Sequence, residues 1–157
     1  MARTTRATQA VASAGIAHQV HSYDYDPDAP AIGLQAAEGL GVTPGEVLKT
    51  LMTLVDGKPA CVLLASDREV NMKKLASAVG GKSAQMMKPA DAERATGYVV
   101  GGISPFGQKK QVPTVVDASA LDQALVFVNG GQRGLQIRLS PKDLVTGLKA
   151  RTADISA

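Results

Sequence analysis

Aromatic residues are scarce in this sequence: three Tyr, two Phe and no Trp make up 3% of the chain. A core must therefore be built from Val, Leu, Ile, Ala and Met, and few flat faces remain on which nucleobases could stack. Cysteine is rarer still. Cys61 stands alone, which excludes an internal disulfide and any CxxC metal site. With His18 and His21 as the two histidines, a structural zinc would have too few soft ligands, and no cofactor is expected. No apolar run approaches a membrane span, and the polar opening Met1-Ala2-Arg3-Thr4-Thr5-Arg6 lacks the apolar stretch of a secretory signal. A reducing, cytoplasmic setting is the expectation, with neither membrane nor DNA as a partner. The familiar catalytic signatures GxSxG, HExxH and GxxxxGK[ST] are missing as well.

What is there reads as one ordinary domain spanning 1–157. The 157 residues are 45% hydrophobic and 20% charged, without repeats or charge blocks. A net charge of +3 and a pI near 9.1 are compatible with an anionic partner, and equally with a slightly basic surface.

Element signals are clear along the chain. Thr5 to Ala14 holds good helix formers and stops at Gly15. His18 to Tyr23 alternates as a short strand, and the Asp- and Pro-rich stretch from Asp24 to Pro30 is a loop. A second short helix runs from Gly33 to Leu40. Thr43-Pro44-Gly45-Glu46 carries a capping box. The runs 49–55 and 60–64 flank a turn at Asp56-Gly57-Lys58-Pro59, a hairpin whose uniformly apolar second strand belongs at the centre of a sheet. Asn71 caps a helix to Ala78, and Pro89 opens another that stops before Gly97. Strands are expected at Tyr98-Val99-Val100, 114–116, 125–128 and 135–139, and Ser140 caps a closing helix. In the last strand Leu135, Ile137 and Leu139 face the core while Gln136 and Arg138 face elsewhere. Without a regular βαβ rhythm, the class is α+β: a compact domain with a mixed, mostly antiparallel, barrel-like sheet flanked by helices.

Candidates for chemistry are few. Cys61 sits in an apolar run, where an inert buried thiol is the simpler reading. His18 and His21 share a strand at odd spacing and point to opposite faces. Glycine, by contrast, is clustered. The segment 97–107 packs four glycines and a Pro around Tyr98-Val99-Val100, and Asn129-Gly130-Gly131-Gln132-Arg133-Gly134 is a second such loop. Glycine lets a main chain approach a ligand and present its N–H groups, so the two loops could wall a pocket; tight turns are the plainer alternative, especially for the second. Lys49 heads an apolar strand. Taken alone, a lysine there snorkels to water.

Together these segments resemble a known family. Val47-Leu48-Lys49-Thr50-Leu51, the helix start Val70-Asn71-Met72-Lys73-Lys74-Leu75-Ala76, the run Thr96 to Lys110 and Gly131-Gln132-Arg133-Gly134-Leu135 are similar to the YbaK group of aminoacyl-tRNA deacylases. That group belongs to the family containing the editing insertion of bacterial prolyl-tRNA synthetases. The likeness extends in order from the first helix to the last, and the long Gly-rich segment is its most specific part.

The resemblance implies an editing domain acting in trans on aminoacyl-tRNA, with prolyl-tRNA synthetase as the expected partner in selecting tRNA(Pro). It places the family's functional lysine on Lys49, with Thr50 beside it. The pocket loop falls on Gly101, Gly102, Ile103, Ser104 and Pro105, the tyrosine after the first strand on Tyr23, and the Gly-rich turn on Gly130 and Gly131. Ile32, Asn129 and Gln136 stand where the YbaK type has an aromatic, a serine and often an acid. The implied activity is removal of Cys from Cys-tRNA(Pro), and by extension Cys-tRNA(Cys). The substrate's own thiol would serve as nucleophile, with Gly101 and Lys49 as the catalytic pair. Water-mediated deacylation of Ala-tRNA(Pro) or another small residue is the enzymatic alternative. A non-catalytic module that binds tRNA or a synthetase is the other. Lys73, Lys74, Lys82, Lys109, Lys110 and Arg133 are candidates for a basic rim contacting phosphates.

Overall fold

The computed structural model describes residues 4–30 and 34–157. Ile32, and Gly33 at the expected helix start, lie outside the described residues. Helix α1 (Arg6–Ser13) begins where Thr5 and Thr8 cap each other reciprocally, and the chain leaves it through Gly15 at φ +72°. Strand β1 (Gln19–Ser22) follows; His18 falls just before it, its Nδ1 2.8 Å from the Ile16 carbonyl. After α2 (Gln35–Leu40), the Thr43 capping box opens only a 3-10 turn over Pro44–Glu46.

Strands β2 (Leu48–Val55) and β3 (Lys58–Ala65) form the expected hairpin. Its two-residue turn has Asp56 at φ +50° and Gly57 at φ +80°, the type I′ geometry that matches strand twist. Asn71 caps α3 (Met72–Val79), and the short strand β4 (Ala84–Met86) leads into α4 (Pro89–Thr96), which ends on left-handed Gly97. Strands β5 (Thr114–Asp117), β6 (Val126–Asn129) and β7 (Leu135–Leu139) precede α5 (Pro141–Leu148), capped by Ser140. The chain does not close on that helix: strand β8 (Arg151–Ala153) follows.

Five strands pair in the order β4-β2-β3-β5-β8, parallel at β3–β5 and β5–β8 and antiparallel elsewhere. Three more, β1-β7-β6, form a small antiparallel sheet. A parallel bridge between Val47 and Phe127 joins the two sheets. The architecture is thus α+β with mixed pairing, and β3 is central, as its apolar run requires.

The main core lies between the sheets. Leu48, Met52, Cys61 and Leu63 from the large sheet meet Val126, Val128, Ile137 and Leu139 from the small one, together with Ala7, Val11 and Leu144 from the helices. The alternate residues Val55, Val62 and Leu64 pack against Leu75 and Ala76 of α3.

Tyr98-Val99-Val100 is not a strand. Gly97 at φ +81° and Gly101 at φ +90° bend the chain on either side, and the Gly102 N–H closes a turn on the Val99 carbonyl at 2.8 Å. Tyr98 turns inward, its hydroxyl donating to the Phe106 carbonyl, while Val99 and Val100 are left exposed.

Candidate functional site

A cavity of about 290 Å³ opens where β2 runs past the end of β4. β4 pairs only with Thr53, Leu54 and Val55, and β6 meets the chain only at the Val47–Phe127 bridge, so between those two points no ladder covers that side of β2. Lys49, Thr50, Leu51 and Met52 all line the cavity although alternate side chains leave a strand on opposite faces. The cavity therefore wraps around the free edge of the strand.

The phase of the hairpin shows what that edge offers. Cys61, opposite Met52, sends its N–H away from β2 to the Pro113 carbonyl, and the Met52 carbonyl accepts from the Met87 N–H at 3.1 Å. Met52–Cys61 is thus a non-hydrogen-bonded pair, and two residues back Thr50–Leu63 must be one as well. The Thr50 N–H and C=O consequently point from the open edge. Its hydroxyl is buried and has no hydrogen-bond partner among the described residues.

Lys49 is 24% exposed in its side chain, with Nζ 3.9 Å from a carboxylate oxygen of the exposed Glu69. The small sheet contributes the opposite wall. On its outer face Asn129 and Gln136 stand opposite each other in register, and both reach the cavity. Gln136 is only 4% exposed, yet its Oε1 lacks a partner. Tyr23, following β1, stands beside Gln136. Burial and neighbouring Tyr25 push its phenol pKa up, against the opposing effect of the Gln136 amide and the Gly134 main chain. Tyr23 is therefore a neutral hydroxyl at physiological pH.

Asn129 joins the two Gly-rich loops. Its Nδ2 donates to the Gly101 and Gln132 carbonyls, each at 3.2 Å, and its Oδ1 accepts from the Gly131 N–H at 2.7 Å. Arg133 completes the seam with a 3.0 Å bond to the Val100 carbonyl, its guanidinium lying over Tyr25.

Of the residues singled out from sequence, Lys49, Thr50, Tyr23, Gly101, Ile103, Asn129 and Gln136 line this one cavity. The others support it from behind or lie apart. Gly102 backs directly onto the second loop: a Cβ there would sit 2.9 Å from the Arg133 nitrogen. Ser104 is fully buried, its hydroxyl accepting from the Phe106 N–H, and Pro105 borders a separate hollow. The Gly130 carbonyl accepts from the Thr5 hydroxyl, and Gly131 packs against Tyr98 and Thr5. Gly107 has Arg6 main-chain atoms 2.8 Å from where its Cβ would be. Much of the glycine clustering thus serves close docking of the loops on each other and on the start of α1.

Tyr25, Ser66, Met86 and Met87 also line the cavity and carried no recognisable signal in the sequence. The cations do not form a single rim. Lys73 and Lys74 border another hollow, where Lys74 binds Asp154 at 3.0 Å, while Arg133 is fastened beside the cavity. Cys61, His18 and His21 are absent from the lining. Cys61 is 1% exposed, and burial pushes its thiol pKa up to about 12. Among the described residues no helix is long and apolar enough to cross a membrane, and no three metal-ligating side chains are grouped.

Comparison with known proteins bears on this arrangement. A relative from Enterococcus faecalis, provisionally named Cys-tRNA(Pro)/Cys-tRNA(Cys) deacylase EbsC, is 37% identical over 121 residues, covering 76% of this chain and 74% of that one. Proline–tRNA ligase from Acidithiobacillus ferrooxidans is 34% identical over 90 residues, which are 57% of this chain but 16% of the ligase. A solved structure described, again provisionally, as a trans-editing enzyme for prolyl-tRNA synthetase superposes with a TM-score of 0.85. It is 22% identical, covers 99% of both chains and shows the shared fold. The model of the aminoacyl-tRNA editing domain matches residues 26–146, which include every described cavity residue except Tyr23 and Tyr25, and the chain belongs to that family.

Proposed function

We propose that this protein acts in trans to remove cysteine from mischarged tRNA(Pro), using the thiol of the substrate as the nucleophile. The observation that carries this reading is the composition of the cavity wall: among its described residues are hydroxyls, amides, a lysine and apolar side chains, but no Asp, Glu, His or Cys. The chain's one thiol is buried in the core with a strongly raised pKa. A pocket built this way can orient an ester and stabilise charge without attacking it.

In the proposed step the substrate sulfur, as thiolate, attacks its own ester carbonyl carbon. The carbonyl–oxygen bond to the terminal ribose then breaks, and the leaving oxygen takes up a proton. The products are a cyclic thiolactone and a tRNA with a free terminal hydroxyl. Alignment of groups within one molecule can lower a barrier by roughly 7–11 kcal/mol, and one donor to the developing oxyanion contributes roughly 2.7–4 kcal/mol. Gly102 is not that donor, because its N–H is already given to Val99. The main-chain N–H of Gly101, a residue of the cavity lining, and that of Thr50 are the donors we assign. Lys49 anchors the aminoacyl-adenosine end. A cavity of about 290 Å³ is at the small end for ligand sites and suits one short aminoacyl group. Prolyl-tRNA synthetase is the proposed partner that supplies tRNA selection.

The deciding measurement compares cysteinyl and seryl esters of the same tRNA(Pro). An apolar pocket rejects so close an analogue by no more than about 10²-fold through shape, so a larger rate ratio, with thiolactone as first product, supports the thiol route. Comparable rates for cysteinyl, seryl and alanyl esters would replace it with water-mediated hydrolysis.

A further inference from the structure

Two buried oxygens in the cavity wall have no partner among the described residues: Gln136 Oε1 on β7 and Thr50 Oγ1 on β2. A buried polar atom without a partner is costly, and such atoms persist in native proteins where a ligand supplies the missing bond. Gln136 Oε1 can only accept and the Thr50 hydroxyl can accept, so a donor is the ligand that satisfies both. On an aminoacyl ester, the donor common to every amino acid is the α-amine.

Charge decides which form of that amine fits. No carboxylate occurs among the described lining residues, and Lys49 already brings one cation. The other charged or titratable groups around the acceptors do not compensate. Glu69, beyond the end of β3, is 86% exposed at the mouth and faces Lys49. Glu93 on α4 accepts from the Val100 N–H. Asp24 lies between the two tyrosines and outside the lining. Arg133 is held over Tyr25. His21, opposite Gln136 on β1, packs edge-on against Phe127, and Arg138 on the same face of β7 lies over that ring. An ammonium entering here would lose its hydration beside a lysine, with no carboxylate in the described lining to receive it.

Resting on the editing reading above, we propose that Gln136 and Thr50 form the receptor for the substrate's α-amine and that they accept it in its uncharged form. Such a site binds an α-amino acyl group whatever its side chain and excludes an acylated amine. It also links binding to the protonation of the substrate rather than of the enzyme. The α-amine of a peptide titrates near about 7.7–8.0, so the linkage falls within an accessible range.

The test uses two stable analogues of the aminoacylated end: adenosine carrying alanine in amide linkage at the 3′ position, and its lactyl counterpart, with hydroxyl in place of amine. Dissociation constants are measured by calorimetry from about pH 6 to about pH 9. For the alanyl analogue, affinity should rise about tenfold per pH unit below the amine pKa and then level, while the lactyl profile stays flat. Because both analogues meet the same protein groups, the difference between the profiles isolates the amine. Gln136→Glu should flatten or invert the alanyl slope, and Gln136→Met should erase the preference for amine over hydroxyl. Identical profiles for the two analogues, or tighter alanyl binding at low pH, overturn the proposal while leaving the editing reading intact. Failure of both analogues to bind overturns the editing reading and this inference with it. The wild-type profiles decide the matter even if neither variant folds.

Discussion

At its Val55 end strand β2 is laddered on both sides, with β3 and β4; towards its Leu48 end it is laddered with β3 alone, and β6 reaches the chain only at the Val47–Phe127 bridge. The first end is closed. The Thr53 hydroxyl donates to the Ala60 carbonyl at 2.8 Å, and the Asp56 carboxylate in the turn accepts from the Lys82 and Ser83 N–H groups. The second end leaves the buried Thr50 hydroxyl without a partner among the described residues and places a lysine among apolar neighbours. Both ends are the same strand with similar residues. What separates them is that β4 stops after three residues and α4 begins, so the site arises where the sheet is left unfinished and loops fill the gap.

Several substitutions test whether the two ends differ as described. The largest effect is expected for Gly101→Val on the loop facing the open end. The residue sits at φ +90°, and a side chain there meets Arg133 and the Tyr25 hydroxyl at 3.1 and 3.2 Å. Activity should vanish, with a stability loss of roughly 1–3 kcal/mol from backbone strain. Unchanged deacylation kinetics would show that the loop is only a turn. Lys49→Ala should lower kcat/KM for deacylation by at least about tenfold, equivalent to ~1.4 kcal/mol, at nearly constant Tm. Full activity in that variant would move the site away from the open edge.

Cys61→Ala reverses the pattern on the paired side of the hairpin. It should cost roughly 1–2 kcal/mol in denaturant unfolding while deacylation is retained, because the thiol is core packing. Loss of turnover in a stably folded variant would reveal a protein nucleophile after all. Thr50→Val should have the smallest effect on stability. Replacing an unpartnered buried hydroxyl with an isosteric methyl should leave Tm unchanged or slightly raised, while substrate affinity falls. A clear drop in Tm would mean that the hydroxyl is already satisfied within the fold and that the two ends are alike.

Much of this architecture is legible in local sequence. The signals at Asn71, Pro89 and Ser140 mark helix starts because each satisfies backbone donors, or lacks one, within a single turn. The alternation over Leu135–Leu139 gives the inward face because side-chain period is a property of the strand alone. Residues 98–100 misled for the opposite reason. They have strand-forming side chains, but a strand needs a neighbour, and the glycines on either side carry them away from one. Strands β4 and β8, three residues each, are recognisable only by their partners.

The candidate site divides along the same line. Family resemblance pointed to Lys49, Gly101, Asn129 and Gln136, which are distant in sequence yet meet at one cavity. That Gly102, Gly107 and Gly131 serve close packing could not be read from their spacing, because what a missing Cβ makes room for comes from other segments. Helix caps and strand faces follow from interactions within a few residues, and the sequence alone determined them. The open edge of β2, the unpartnered oxygens of Thr50 and Gln136 and the absence of a carboxylate from the described cavity wall were decided by tertiary structure. Each depends on which strands pair, where they stop and what lies across the gap.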